Sequence, residues 1–128
     1  MTPAEVNHMG NGRSETLHRM GLEALEAGRM EEAVARLRQA VSEDGENSQA
    51  WNDLGVVMEA LGNPTPAVEC YKRALEISPL HREARSNLMN LELQAITRQR
   101  MREEAAQMFR SRMTPAGVGL RSARAMPA

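Results

Sequence analysis

Few side chains in this 128-residue sequence are candidates for chemistry, and their spacing argues against most of it. Cys70 is the single cysteine. A reactive thiol needs an electropositive, partly exposed setting that holds it as thiolate. Cys70 instead falls mid-way along a helical pattern beside Tyr71, at a packing position, and reads as a small buried hydrophobe. His8, His18 and His81 lie far apart and make no H-x-x-x-H or similar ligand spacing, so they offer neither a metal site nor a general base. Ten methionines suggest Cu(I), which soft thioethers bind. Yet Met20 and Met58 take helix-packing positions, and Met101, Met108 and Met113 share an apolar stripe, so packing is the better reading. The sequence contains no P-loop, G-x-G-x-x-G, H-E-x-x-H or G-x-S-x-G. We therefore expect no catalytic residue, no metal and no cofactor, and a protein that is not an enzyme.

The elements that must carry whatever function remains are helices. Composition is that of a globular chain: 41% hydrophobic, 26% charged, formal net charge -1, and a length that fits one small domain. One Trp, one Tyr and one Phe leave too few rings for an ordinary sandwich or barrel, whose strands are rich in aromatic and β-branched residues. Ala, Leu, Glu, Arg, Gln and Met dominate, all strong helix formers. The expected fold class is all-α. A lone cysteine excludes an intramolecular disulfide framework. The first ten residues lack the basic and apolar regions of a secretory leader, and no run of about 18 apolar residues occurs. These features point to a cytoplasmic protein. The excess of Arg over the one lysine, Lys72, hints at a GC-rich bacterial genome.

Self-similarity at an offset of 34 organises the chain. It pairs Gly21 with Gly55, Gly28 with Gly62, Ala33 with Ala67 and Ala40 with Ala74. Unit 48–81 reads Trp51-x-x-Leu54-Gly55-x-x-Met58, then Ala67-x-x-x-Tyr71, Ala74 and Pro79. This resembles the tetratricopeptide repeat (TPR) family, whose pattern is W-x-x-L-G-x-x-Y, A-x-x-x-F, A and P; Met58 is the clear departure. Unit 14–47 is a weaker copy, with Leu17, Met20, Gly21, Ala24, Ala33, Leu37 and Ala40 in register and Gly45 in place of the closing proline. A third unit starts at Arg82 with Leu88 in register, then loses the pattern at Met89, Glu92 and Ile96. The resemblance implies an α-solenoid of antiparallel helix hairpins: repeat 1 at 14–47, repeat 2 at 48–81, and a capping helix from 82.

Local chemistry agrees. Gly21 and Gly55 clear space where two helices of a hairpin approach, and Ala33 and Ala67 do so from the opposite helix. Gly28 and Gly62 suit the positive φ that ends a helix. Asn63-Pro64 reads as a cap followed by proline at the first helical position. Ser78-Pro79 closes the second hairpin. Helices are expected near 15–27, 30–43, 48–61 and 64–77, with a long one over 82–112 or 113. Ala84, Leu88, Leu91 and Ala95 should pack it on repeat 2. Residues 1–13 read as a flexible N-terminus and 114–128 as a disordered tail.

Function then reduces to binding. The TPR resemblance implies a concave groove lined by the first helix of each unit. That assigns Glu15, His18, Arg19, Leu22 and Glu26 from repeat 1, Gln49, Asn52, Asp53, Val56 and Glu59 from repeat 2, and Glu83, Ser86, Asn87 and Asn90 from the cap. TPR proteins that capture chaperone C-termini carry Lys, Asn, Asn, Lys and Arg at five such positions. Here these are His18, Leu22, Asp53, Glu83 and Asn87, so that clamp is absent. Five carboxylates against one Arg favour a basic or neutral protein or peptide partner.

A second surface lies on the late part of the long helix. Met101, Ala105, Met108, Phe109 and Met113 form a stripe rotated by about 70° from the early one, at about 100° per residue. Arg98, Arg100, Arg102, Arg110 and Arg112 accompany it. Residues 14–96 carry a net charge of -6 and residues 97–128 a net of +5. Nucleic acid is disfavoured, since the body is acidic and no aromatics interleave for base stacking. A membrane is disfavoured because the stripe lacks Trp and is rich in Ala and Met. The sequence thus supports a non-catalytic adaptor. The alternatives are a homo-oligomeric scaffold that uses the basic helix, or an accessory subunit of a larger complex.

Overall fold

The computed structural model describes residues 3–124 of the chain, with side chains over 12–113. Five helices follow one another: α1 (Pro3–Glu26), α2 (Met30–Glu43), α3 (Ser48–Ala60), α4 (Pro64–Ile77) and α5 (Arg82–Arg124). The chain divides into a unit ending at Leu91 and a second from Glu92 onward that consists of the remainder of α5.

In the first unit, α1 pairs with α2 and α3 with α4, and α2 and α3 join the hairpins. Two Schellman caps close the inner turns. At Gly28 and Gly62, φ is +79°, and the following N–H groups of Arg29 and Asn63 reach back to the carbonyls of Ala24 and Met58, each at 2.8 Å. Only glycine takes that backbone geometry without strain. The close approaches are equally specific. A Cβ on Gly55 would lie 2.5 Å from the Tyr71 ring, and one on Gly21 would lie 2.7 Å from Cγ of Leu37. Ala24, Ala33, Leu37, Ala40, Val57, Ala67, Tyr71 and Ala74 are fully buried, with Leu54, Met58, Cys70 and Leu91 nearly so. The small residues sit where helices cross, and the large ones fill the space between.

Trp51 is half-buried and its indole N–H donates to the Gly45 carbonyl (3.0 Å), tying α3 to the turn that precedes it. Buried Ser14 on α1 donates to the Ala40 carbonyl on α2 (2.8 Å) and accepts from the Asn47 amide ahead of α3 (2.9 Å). This one hydroxyl links three helices.

Three expectations need correction. Asn63 occupies the cap position of α4 but makes no side-chain capping bond. One reason is in the next residues: Pro66, at the third helical position, lacks one of the two N–H groups that a cap serves. Asn47 does cap α3, accepting from the Ala50 N–H at 3.1 Å. Second, Ala84, Leu88 and Leu91 pack into the first unit, but Ala95 is exposed, because the core ends one turn earlier. Third, helix extends beyond the expected ends. α1 is already helical at Pro3, the first described residue, over the stretch read as flexible. α5 continues through Pro115 to Arg124 over most of the stretch read as a tail, and nothing in the residue types there accounts for it. Met1, Thr2 and residues 125–128 lie outside the described residues.

Candidate partner-binding surface

The first helices of the repeats, α1 and α3, and the first turns of α5 stand in register, so positions one repeat apart meet. His18 on α1 donates from Nε2 to Oδ2 of Asp53 on α3 at 2.5 Å. One repeat later, Asn87 on α5 donates to Oδ1 of Asn52 on α3 at 3.0 Å. These two bonds span the same interval of 35 residues. Between them lies a bridge of amides and carboxylates. Gln49 donates to Asp53 Oδ1 (3.1 Å) and Glu83 Oε2 (2.9 Å), and Asn52 donates to the same two atoms at 3.3 and 3.2 Å.

Asn52 is fully buried, which demands that its polar atoms be satisfied, and they are. His81 closes the row. Its Nδ1 accepts from the Ala84 N–H (3.1 Å), which leaves Nε2 to donate to Gln49 Oε1 (3.0 Å). That pair of bonds fixes the tautomer and caps α5 in the same stroke.

The predicted lining residues therefore separate into three groups. His18, Gln49, Asn52, Asp53, Glu83 and Asn87 come together in one hydrogen-bonded ladder. Glu15, Arg19, Glu26, Ser86 and Asn90 are exposed, and Leu22 and Val56 are half-buried, with Val56 packed on the core. Glu59 serves the core instead, where its Oε1 accepts from the Tyr71 hydroxyl at 2.5 Å. His81 joins the ladder although the lining pattern of the repeat does not include it. The available signal was its offset of 34 from Asn47, the cap of α3. His8 lies outside the residues whose side chains are described.

Among the described residues no cluster of His, Cys, Asp or Glu is arranged to hold a metal ion. Cys70 is buried, and desolvation pushes its thiol up to about 11, the opposite of an activated thiolate. Burial, then the hydrogen bond to Glu59, also raises the Tyr71 hydroxyl far above the usual phenol range. The ladder holds the carboxylates of Asp53 and Glu83 in place through bonds from His18, Gln49 and Asn52. Among the described residues no helix is long and apolar enough to cross a membrane.

The late stripe stands in the second unit. Met101, Met108, Phe109 and Met113 are each between 62% and 64% exposed, and Ala105 is exposed.

Comparison with known proteins gives the same architecture. Residues 18–88 match the model of the tetratricopeptide repeat family. The chain is 36% identical over 63 residues to Tetratricopeptide repeat protein 7B of Mus musculus, and equally to that of Homo sapiens. The match covers 49% of this chain and 8% of either relative, so the chain spans under a tenth of their length. The crystal structure of MamA protein is similar with a TM-score of 0.62 at 20% identity, covering 78% of this chain and 52% of that one. A second MamA structure gives 0.53 at 17% identity, covering 70% and 63%. At such identity the shared property is the fold, an all-α TPR-type solenoid, which generally serves as a protein–protein interaction module. With its family model matched over more than half its length and its repeat glycines in place, the chain belongs to the tetratricopeptide repeat family.

Proposed function

We propose that the chain is a non-catalytic adaptor that receives a basic or neutral peptide or helical segment of a partner protein on the face formed by α1, α3 and the start of α5. The observation that carries this reading is the ladder whose bonds recur at one-repeat intervals from His18 to Asn87. It holds three helices in a fixed relation before any partner arrives, which lowers the ordering cost of binding. Around it stand Glu15 and Glu26 as exposed carboxylates and Leu22 as a half-buried apolar contact, while Glu83 keeps Oε1 outside the ladder. Acidic and apolar groups in that arrangement suit a segment with Lys or Arg flanking small hydrophobes. Cytoplasmic placement belongs to the same reading, supported by a single thiol that has no intramolecular disulfide partner.

The test is a peptide array probed with the labelled full chain and with the variant Glu15→Lys/Glu26→Lys. Neither residue belongs to the ladder, so the fold should persist in the variant. The adaptor reading expects basic peptides to be captured by the native chain and lost by the variant. Equal capture by both proteins would remove the face from consideration.

A further inference from the structure

The exposed late face of α5 carries an apolar stripe and three of the accompanying arginines together. At about 100° per residue, Arg98, Arg102 and Arg112 fall within the arc that holds Met101, Ala105, Met108, Phe109 and Met113. Gln99, Glu103, Gln107 and Ser111 lie on the opposite side, and Gln99 donates to Glu103 there. Within 92–113 every residue is exposed except Ala106, which is half-buried. Methionine, an aromatic ring and arginine on one face is the composition enriched in protein interfaces. A helix with so little burial also gains most of its stability from a partner.

Charge selects among partners. Pairing two such helices side by side would set arginine against arginine. The chain itself supplies a better surface. Its residues 14–96 carry a net of -6, and among the described residues Glu15 and Glu26 make no ion pair. They flank half-buried Leu22 on α1. We propose that the partner received by the acidic α1–α3 face is the Met101–Met113 helix of a second copy of this chain. Arginines meet Glu15 and Glu26, and the methionines and Phe109 cover Leu22. The inference rests on the adaptor reading of that face and names its occupant. The contact is heterologous, each copy offering one face and one helix. It therefore grows into a closed ring or an open filament.

Charge reversal in full-length protein tests it, with mass followed by light scattering from micromolar to submillimolar concentration. The native chain should associate with rising concentration and dissociate as salt screens the arginines. Glu15→Lys/Glu26→Lys and Arg98→Glu/Arg102→Glu/Arg112→Glu should each weaken association by roughly tenfold or more. Mixing the two variants should restore it, because each then offers what the other lacks. Circular dichroism confirms that both variants remain helical. A native chain that stays monomeric throughout overturns the proposal, whereas the adaptor reading stands or falls on the peptide array alone. Association that is lost in the arginine variant but intact in the glutamate variant also overturns it, because the helix then docks on another surface. Two variants that stay apart when mixed also overturn it.

Discussion

Single atoms decide how closely these helices approach. Alanine at position 55 would put a methyl carbon 2.5 Å from the Tyr71 ring, which is fully buried and has nowhere to go. Helix propensity returns up to about 1 kcal/mol, but overpacking outweighs it, so Gly55→Ala should lose about 1–2 kcal/mol in urea denaturation. Gly21→Ala should lose less, because a leucine side chain faces it and can change rotamer. Cys70 gives a pH signature at the same scale. Burial raises its thiol from 9.0 to about 11, so the protonated form is favoured by folding. Its contribution is complete below pH 9 and is lost as pH rises from there through about 11. The denaturation midpoint should fall across that interval, and Cys70→Ala should flatten part of the fall. A thiol reagent at neutral pH should meet Cys70 only as the protein opens. Residue types alone were enough to mark Gly21, Gly55 and Cys70 as packing positions. They did not show that Glu59 belongs to Tyr71, since that bond joins the end of α3 to the middle of α4 across a hairpin.

At the scale of elements, caps that look alike in sequence differ in worth. Asn47→Ala removes a cap on the Ala50 N–H and a bond to buried Ser14, and should lose about 1–2 kcal/mol. Asn63→Ala should be nearly neutral, because no side-chain cap exists there to lose. Thermal unfolding of the two variants side by side checks the contrast. The hairpins should also differ from each other. The α3–α4 hairpin encloses Tyr71, Val57, Leu54 and Met58, whereas α1–α2 relies on Leu37 and alanines. Amide exchange should therefore be faster over 14–47 than over 48–81; equal protection would contradict that ranking. The inner limits of the first four helices follow from Gly28, Gly62, Pro64 and Pro79, because these residues change what the backbone can do. α1 is helical from Pro3, the first described residue, and α5 is helical through Pro115, Gly117 and Gly119 to Arg124, the last. Apolar periodicity stops before helix does at both ends.

The whole molecule combines an acidic repeat unit with a basic helix. Ending the chain after Thr97 leaves the unit bounded by Leu91 intact and removes the stripe from Met101 onward. We expect such a truncation to keep the helical hairpins by circular dichroism, to retain peptide capture and to lose concentration-dependent association. A truncated protein that associates as the full chain does would place self-contact elsewhere. By itself the sequence determined the all-α class and the 34-residue period. Each of these depends on local backbone preference or on repetition, which survive without knowledge of distant contacts. Only the tertiary structure decided that His18 meets Asp53, that Gln49 and Asn52 bridge Asp53 to Glu83, and that Glu59 serves the core. Those pairings depend on how far one hairpin is shifted and turned against the next. Packing of Leu37, Leu54, Val57 and Tyr71 sets that shift, to a precision that a repeat length does not specify.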